Sequence, residues 1–374
     1  MRHWRAARPG TAAPPATADP AAKHVFLHIG APKTGTTFLQ QVLWANREAL
    51  AETGVCYPLS RPREHFHATM DLRQMTWGGK HDPAWDGAWD RVSERVRAWP
   101  GRAAVLSNEL LGAATPDQIA RAIRSLGPGE LHIVFTARDF ARQLPSDWQE
   151  QVKHTHSVTY PEFLEVLVNR ADGARPHYYE MFWGLHDPVR VLAPWADVVG
   201  PGHVHVVTVP QAGASRDVLW RRFAALVGIA ADSCDLAQGR SNESLGSVEA
   251  ELLRRTNERA DRVQPRVYDQ KLRSYLVGTV LAGRPNRAAI PLPAEFGAWA
   301  NERSEKLIAE LQTTGYHIVG DLEELRPAPA SAGTRRDPTA ISDGELLDAA
   351  LDALAGLLTR PTAAPKTAPN RGST

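Results

Sequence analysis

His28-Ile29-Gly30-Ala31-Pro32-Lys33-Thr34-Gly35-Thr36-Thr37 decides how the rest of the chain is read. The apolar run Val25 to Leu27 precedes it, and Phe38, Leu39, Val42 and Leu43 follow at helical spacing. The pattern predicts a buried strand, a glycine loop and an amphipathic helix in succession. In that arrangement the loop amides and the open helix N-terminus point into one small volume. An anion placed there collects hydrogen bonds and the favourable end of the helix dipole.

Four residues separate Gly30 from Gly35, the spacing of the nucleotide-binding P-loop, but Thr36 stands where an ATPase keeps its lysine. The lysine is at position 33 instead. Only 7 of the 43 basic residues are lysines, which sets Lys33 apart. Lysine is a compact point charge suited to one bridging oxygen, whereas arginine forks across two. Pro32-Lys33-Thr34-Gly35-Thr36-Thr37 resembles the 5′-phosphosulfate loop of sulfotransferases that use 3′-phosphoadenosine-5′-phosphosulfate (PAPS). The resemblance implies a P-loop-type α/β fold, a parallel sheet flanked by helices. It also implies PAPS as co-substrate and no metal.

The chain has 374 residues, enough for one large α/β domain with appended tails. The expected division is a disordered arm over 1–22, a domain over 23–326, and a Pro/Ala-rich linker and tail over 327–374. The tail contains an amphipathic helix near 343–358. A net charge of +1, with no basic run of five, argues against nucleic acid as a partner. Cys56 and Cys234 are too few for a disulfide framework, and no Cys/His spacing resembles a zinc site. A reducing cytoplasm is the expected location. No run of about 18 apolar residues suggests a transmembrane segment.

After the first helix, 60–84 reads as a polar loop holding His65, His67, Trp77 and His81. Trp85, Trp89, Val92, Val96 and Trp99 form a core-facing helical stripe. Ala103 to Ser107 is a strand, and it ends in Asn108-Glu109. Thr115-Pro116-Asp117-Gln118 opens a helix with a capping box. Leu131 to Thr136 is the next strand and delivers Arg138 at its carboxyl end, where parallel sheets bind ligands. Pro145 is expected to open the following helix beside Ser146. A further strand is expected over His203–Val209, with a helix after it closed by Gly228. Leu346, Leu347, Ala350, Leu351, Leu354, Leu357 and Leu358 are expected to share one face of the tail helix, for docking on a partner or on the domain itself.

In the family, an arginine closing a strand and a serine eight positions later hold the 3′-phosphate of the donor. Thr136 to Ser146 therefore supplies a second matching segment, with Arg138 and Ser146 in those places. Arg240, in Arg240-Ser-Asn-Glu-Ser-Leu-Gly246, is a further candidate contact, although a capped helix start explains that segment nearly as well. Phe38 matches an aromatic that lies against adenine, with core packing as its alternative.

Sulfuryl transfer needs charge on the leaving oxygen balanced, the phosphosulfate held, and the acceptor proton removed. Lys33 is the candidate for the first role, and the loop with Thr34, Thr36 and Thr37 for the second. Glu109 is the candidate base, since its strand ends at the same edge as Gly30 and Arg138. His28, His65, His67 and His81 are alternatives, with His28 reading better as a core residue. The acceptor is a hydroxyl of a carbohydrate, glycolipid or natural product. A P-loop kinase or NTPase, and a non-catalytic nucleotide-binding protein, are the competing readings.

Overall fold

Strand runs as apolar as Val25–Leu27 and Ala103–Leu106 cannot leave a face in water, so helices must cover both sides of the sheet they form. The computed structural model describes residues 23–76, 79–170, 176–215, 217–237, 244–260, 268–328 and 335–359 and has this α/β architecture. Its strands are β1 (His24–His28), β2 (Val55–Cys56), β3 (Ala103–Ser107), β4 (Glu130–Ala137), β5 (Val204–Thr208) and β6 (His317–Val319). They form one parallel sheet in the order β2-β3-β1-β4-β5-β6. The order reverses around β1, and at such a switch the carboxyl ends open a crevice for a ligand.

Around the sheet, the helices up to the fourth strand are α1 (Thr36–Ala45), α2 (Arg47–Glu52), α3 (Glu64–Arg73), α4 (Ala88–Ala98) and α5 (Pro116–Leu126). Then come α6 (Phe140–Lys153), α7 (Tyr160–Asn169), α8 (Pro176–His186), α9 (Pro188–Val199), α10 (Asp217–Val227) and α11 (Ser247–Arg259). A wider-turned helical segment, Tyr268–Leu281, precedes α12 (Gly297–Thr313) and α13 (Asp343–Leu358). The core is continuous and includes the fully buried Leu27, Leu39, Val105, Phe135, Trp148, Trp195 and Trp220. Local signals set several boundaries. Thr115 and Gln118 form the expected reciprocal capping box on α5. Gly228 ends α10 with φ 75°.

Four expectations change. The segment 60–84 is not a loop throughout, because α3 forms within it and buries Glu64, Ala68, Thr69, Met70 and Leu72. Pro145 does not open a helix. Asp139 caps α6 instead, its Oδ1 accepting from the Arg142 amide at 2.9 Å, and Pro145 lies inside the helix. The leucine face of α13 does not dock as a whole: its Leu346 edge is buried together with Ala349 and Ala353, while the stripe Leu347, Leu351, Leu354 and Leu358 is exposed. Part of the expected linker is pinned, with the Arg336 amide donating to Ala289 O at 3.0 Å and Ser247 Oγ to Arg336 O at 2.6 Å. The arm over 1–22, Trp77, Arg240 and residues beyond 359 lie outside the described residues. No helix among the described residues is long and apolar enough to cross a membrane.

Candidate functional site

The glycine loop is fastened to β4 before any ligand is considered. Ala31 N donates to Thr136 O at 2.9 Å, and the Thr136 amide and hydroxyl both reach Gly30 O, at 2.6 and 2.9 Å. Thr34 Oγ1 donates back to Ala31 O at 2.5 Å and also meets Thr136 Oγ1. Thr34 and Thr136 are both buried, so these bonds fix the loop from beneath. His28 closes the same network from β1, with Nδ1 2.8 Å from Ser107 Oγ and Nε2 3.3 Å from Thr136 Oγ1. Burial holds its imidazole down to about 4, against a weaker pull upward from Gly30, so it is a neutral core residue at physiological pH.

Gly35 begins α1 at φ 93°, and a Cβ there would sit 2.6 Å from Leu219 Cδ2 of α10. The position needs glycine for its backbone angle and for that approach. No side chain caps α1 among the described residues, and its first turn carries no acidic group. The positive end of the helix dipole is therefore not answered from within the helix. Thr36 is buried, Thr37 is half-buried, and Phe38 is half-buried against the core.

Arg138 follows β4 directly. Its Nη1 donates to Lys33 O at 2.9 Å and lies 3.3 Å from Ser146 Oγ, so the second pair of candidate residues is bonded to the first loop. Ser146 Oγ in turn donates to Arg142 O at 2.9 Å. Arg138 Nε is buried with no hydrogen-bond partner among the described residues. No carboxylate there lies within ion-pair distance of the guanidinium. Burial first, and the neighbouring Arg142 second, push its pKa down to about 10, with Asp139 opposing. A buried cation with an orphaned donor is suited to an incoming anion. The donor set of loop, α1 terminus and Arg138 thus fits a ligand with two phosphate-like groups.

Lys33 has φ 63°, and its ammonium donates to Glu150 of α6. Burial alone would raise the Glu150 carboxyl. Lys33, then Lys153 and His154, outweigh it and hold the group down at about 2. Gln143, two turns earlier on α6, donates through Nε2 to Pro32 O at 2.7 Å. One helix therefore holds the loop at Pro32, Lys33 and, through Ser146, Arg138.

Glu109 leaves the end of β3 one residue after Asn108, whose side chain accepts from the Leu110 amide at 3.1 Å. Its backbone reaches the loop: a Cβ on Gly30 would lie 3.7 Å from Glu109 O. Its half-buried carboxylate accepts from Gln40 Nε2 of α1 at 3.1 Å, and Gln40 also reaches Ser107 Oγ at 3.2 Å. Tyr57 lies nearby with a buried hydroxyl that has no partner among the described residues. Burial first and the charge of Glu109 second push its phenol well above the usual range.

Glu109, Lys33, Arg138 and Ser146 thus gather at the carboxyl edge around β1. Of the histidine alternatives, His28 also ends its strand at this edge but is committed to the buried network beneath the loop. His81 pairs with Asp86 at 2.7 Å on the surface, and His65 and His67 lie on α3. Burial first, then His67 and Arg63, push His65 down to about 4. Gln40 and Tyr57 escaped the sequence reading, and Glu150, which reads from sequence as a salt-bridge partner for Arg138, pairs with Lys33 instead. Gln40 is one turn beyond Thr36 and Glu150 one turn beyond Ser146, so helical periodicity alone could have found two of them.

No family model matches the chain, and no curated protein matches it. Among solved structures it is similar to the crystal structure of a sulfotransferase from Alicyclobacillus acidocaldarius. That likeness has 18% identity, covers 59% of this chain and 86% of that chain, and has a TM-score of 0.37.

Proposed function

We propose that this chain is a PAPS-dependent sulfotransferase that transfers a sulfuryl group to a hydroxyl of a carbohydrate, glycolipid or natural-product acceptor. The observation that carries the reading is the bond from Arg138 to Lys33 O, which ties a second anion grip to the glycine loop. A single-phosphate ligand would use only one of the two. The loop from Pro32 to Thr37 and the α1 terminus hold the 5′-phosphosulfate, and Arg138 with Ser146 holds the 3′-phosphate. Phe38 lies toward the adenine, and Arg240 remains a proposed further contact.

In the reaction the acceptor oxygen forms a bond to sulfur as the bond from sulfur to the bridging oxygen breaks, leaving adenosine 3′,5′-bisphosphate. Lys33 balances the charge that grows on the bridging oxygen. Glu109 takes the acceptor proton, oriented by Gln40. The sulfuryl group carries a single charge and needs less neutralisation than a γ-phosphoryl group, so this chemistry calls for no metal. Glu150 acts through Lys33, as a positioning residue. Two free thiols, Cys56 and Cys234, suit a reducing cytoplasm.

Calorimetric titration without metal tests the reading. Adenosine 3′,5′-bisphosphate is expected to bind at least about tenfold more tightly than AMP, since charge-assisted bonds contribute about 1.5–3 kcal/mol each. Equal affinity for the two, or tighter magnesium-dependent binding of ATP, would remove it.

A further inference from the structure

The opposite edge of the sheet, where the strands begin, carries a row of histidines. Register sets His24 beside Glu130 and Phe26 beside His132. Farther along the sheet it sets His205 beside Val134 and His317 beside His205. Side chains two apart on a strand share a face, so these four histidines and Glu130 project together. His24 Nδ1 lies 3.0 Å from His132 Nε2. His132 Nδ1 lies 3.0 Å from His205 Nε2, and His205 Nδ1 lies 3.0 Å from His317 Nδ1. Glu130 Oε2 is 3.2 Å from His24 Nδ1 and 3.7 Å from His132 Nε2.

We propose that His24 Nδ1, His132 Nε2 and Glu130 Oε2 form a binding site for a divalent transition-metal ion, with Zn²⁺ as the ion the donor set suits best. Two imidazole nitrogens and a carboxylate oxygen are an ordinary three-ligand set for zinc. The spacing agrees with the chemistry. A tetrahedral ion with bonds of about 2.0–2.1 Å holds its ligand atoms about 3.3–3.4 Å apart, and the three separations of 3.0, 3.2 and 3.7 Å bracket that value. All three donors therefore reach one ion with shifts of a few tenths of an ångström.

The surroundings are those of a supported site. A ligating histidine usually donates its second ring N–H to a neighbour, which fixes the tautomer. His132 has that neighbour in His205, and His205 is braced in turn by His317. The Phe26 ring stacks on His132 with centroids 4.7 Å apart and planes at 15°, which sets the plane of the ligand ring. Backbone bonds pin both ligand strands, with Glu130 N on Lys23 O at 2.9 Å and His24 N on Arg102 O at 2.9 Å. The side chains of His24 and Glu130 are 29% and 30% exposed, which leaves an entry path and an open fourth position. Sequence spacing hides the set, because its members come from two strands more than a hundred residues apart.

The competing arrangement is a chain of neutral imidazoles, each donating to the next, with no ion. The test uses the untagged full chain, stripped by a chelator and titrated with Zn²⁺ by calorimetry and with Co²⁺ by visible absorption. One saturable Zn²⁺ per chain is expected, with intense tetrahedral-type Co²⁺ bands and a higher melting temperature in Zn²⁺. His24→Gln and Glu130→Gln should each weaken Zn²⁺ by at least about 100-fold, and His205→Gln by about 10–100-fold. His81→Gln, on the surface, should change nothing. Glu130→Gln is a conservative change at a part-exposed strand start, and circular dichroism checks its fold. Absence of saturable Zn²⁺ binding, or full affinity in both His24→Gln and Glu130→Gln, overturns the proposal.

Discussion

Lys33 donates its ammonium to the carboxylate of Glu150, and this ion pair joins the glycine loop to the far end of α6. Both side chains are partly shielded, at 21% and 26% exposure, so solvent screens the pair less than it would on an open surface. An anion entering the loop meets a lysine that is already oriented and already partnered. The loop is thus charge-balanced at rest, and the donor competes with Glu150 for the ammonium.

Lys33→Ala is expected to lower turnover by about 10²–10³, the usual loss for one electrostatic donor at a reacting oxygen. Affinity for adenosine 3′,5′-bisphosphate should change far less, because Thr34, Arg138 and the α1 terminus remain. Single-turnover transfer and calorimetry measure the two effects separately. Full turnover with weakened binding would make Lys33 a ground-state anchor.

Glu150→Gln removes a negative charge beside the loop while keeping the side-chain shape. Affinity for the bisphosphate is expected to rise about three- to tenfold at low salt, since less repulsion opposes the anion. Turnover should fall, because the ammonium is no longer aimed. Titrations at two ionic strengths check the electrostatic origin, and an unchanged affinity would place Glu150 too far from the donor to matter.

Glu109→Gln should leave donor binding intact and lower transfer to an alkyl or sugar hydroxyl by about 10²–10⁴-fold. Gln40→Ala, which frees the carboxylate without removing it, should cost less and should shift the pH profile of turnover. A histidine variant that loses transfer while Glu109→Gln keeps the parent rate would move the base to α3.

Acid stability follows from His28 and His65. Burial holds both near 4 in the folded chain, whereas the unfolded chain takes up their protons near the ordinary 6.5. Between these values the unfolded state binds more protons, so stability rises with pH there. Their contribution is complete above about 6.5 and is lost as pH falls toward 4. The melting temperature should therefore be flat near neutrality and fall through this window, and His65→Gln should reduce the slope by about one proton.

What the sequence made legible was local. The strand, loop and helix around Gly30, the Thr115 capping box and the strand delivering Arg138 each rest on neighbouring residues, and all form as expected. α3 was hidden because its buried positions include Glu64, Thr69 and Ala68, which leave no apolar stripe. β6 has three residues at the sheet edge, too few to show alternation. The leucine arc of α13 is wide and only its Leu346 edge, beside Ala349 and Ala353, is buried, so the pattern could not say which part docks. At the site, Lys33, Glu109, Arg138 and Ser146 were named from motif and strand order, and the structure gathers them at one edge, while Arg240 lies outside the described residues. The pairings of Glu150 with Lys33 and of Gln40 with Glu109 were not legible, because they span 117 and 69 positions.

The placement of β1 between β3 and β4 also governs the order of events at the ribosome. β1 is synthesised before its register partners, which begin at Ala103 and Glu130. At about 5–20 residues per second, the nascent strand waits on the order of 4–15 s for even the nearer one. Thr136, which anchors Gly30 and Thr34, emerges later still. The loop is consequently made well before its support, and a product cut short before Thr136 presents the loop sequence without a loop. During that interval an apolar strand with two open edges is a template for aggregation, so yield in the cell should respond to chaperones that shield emerging chains.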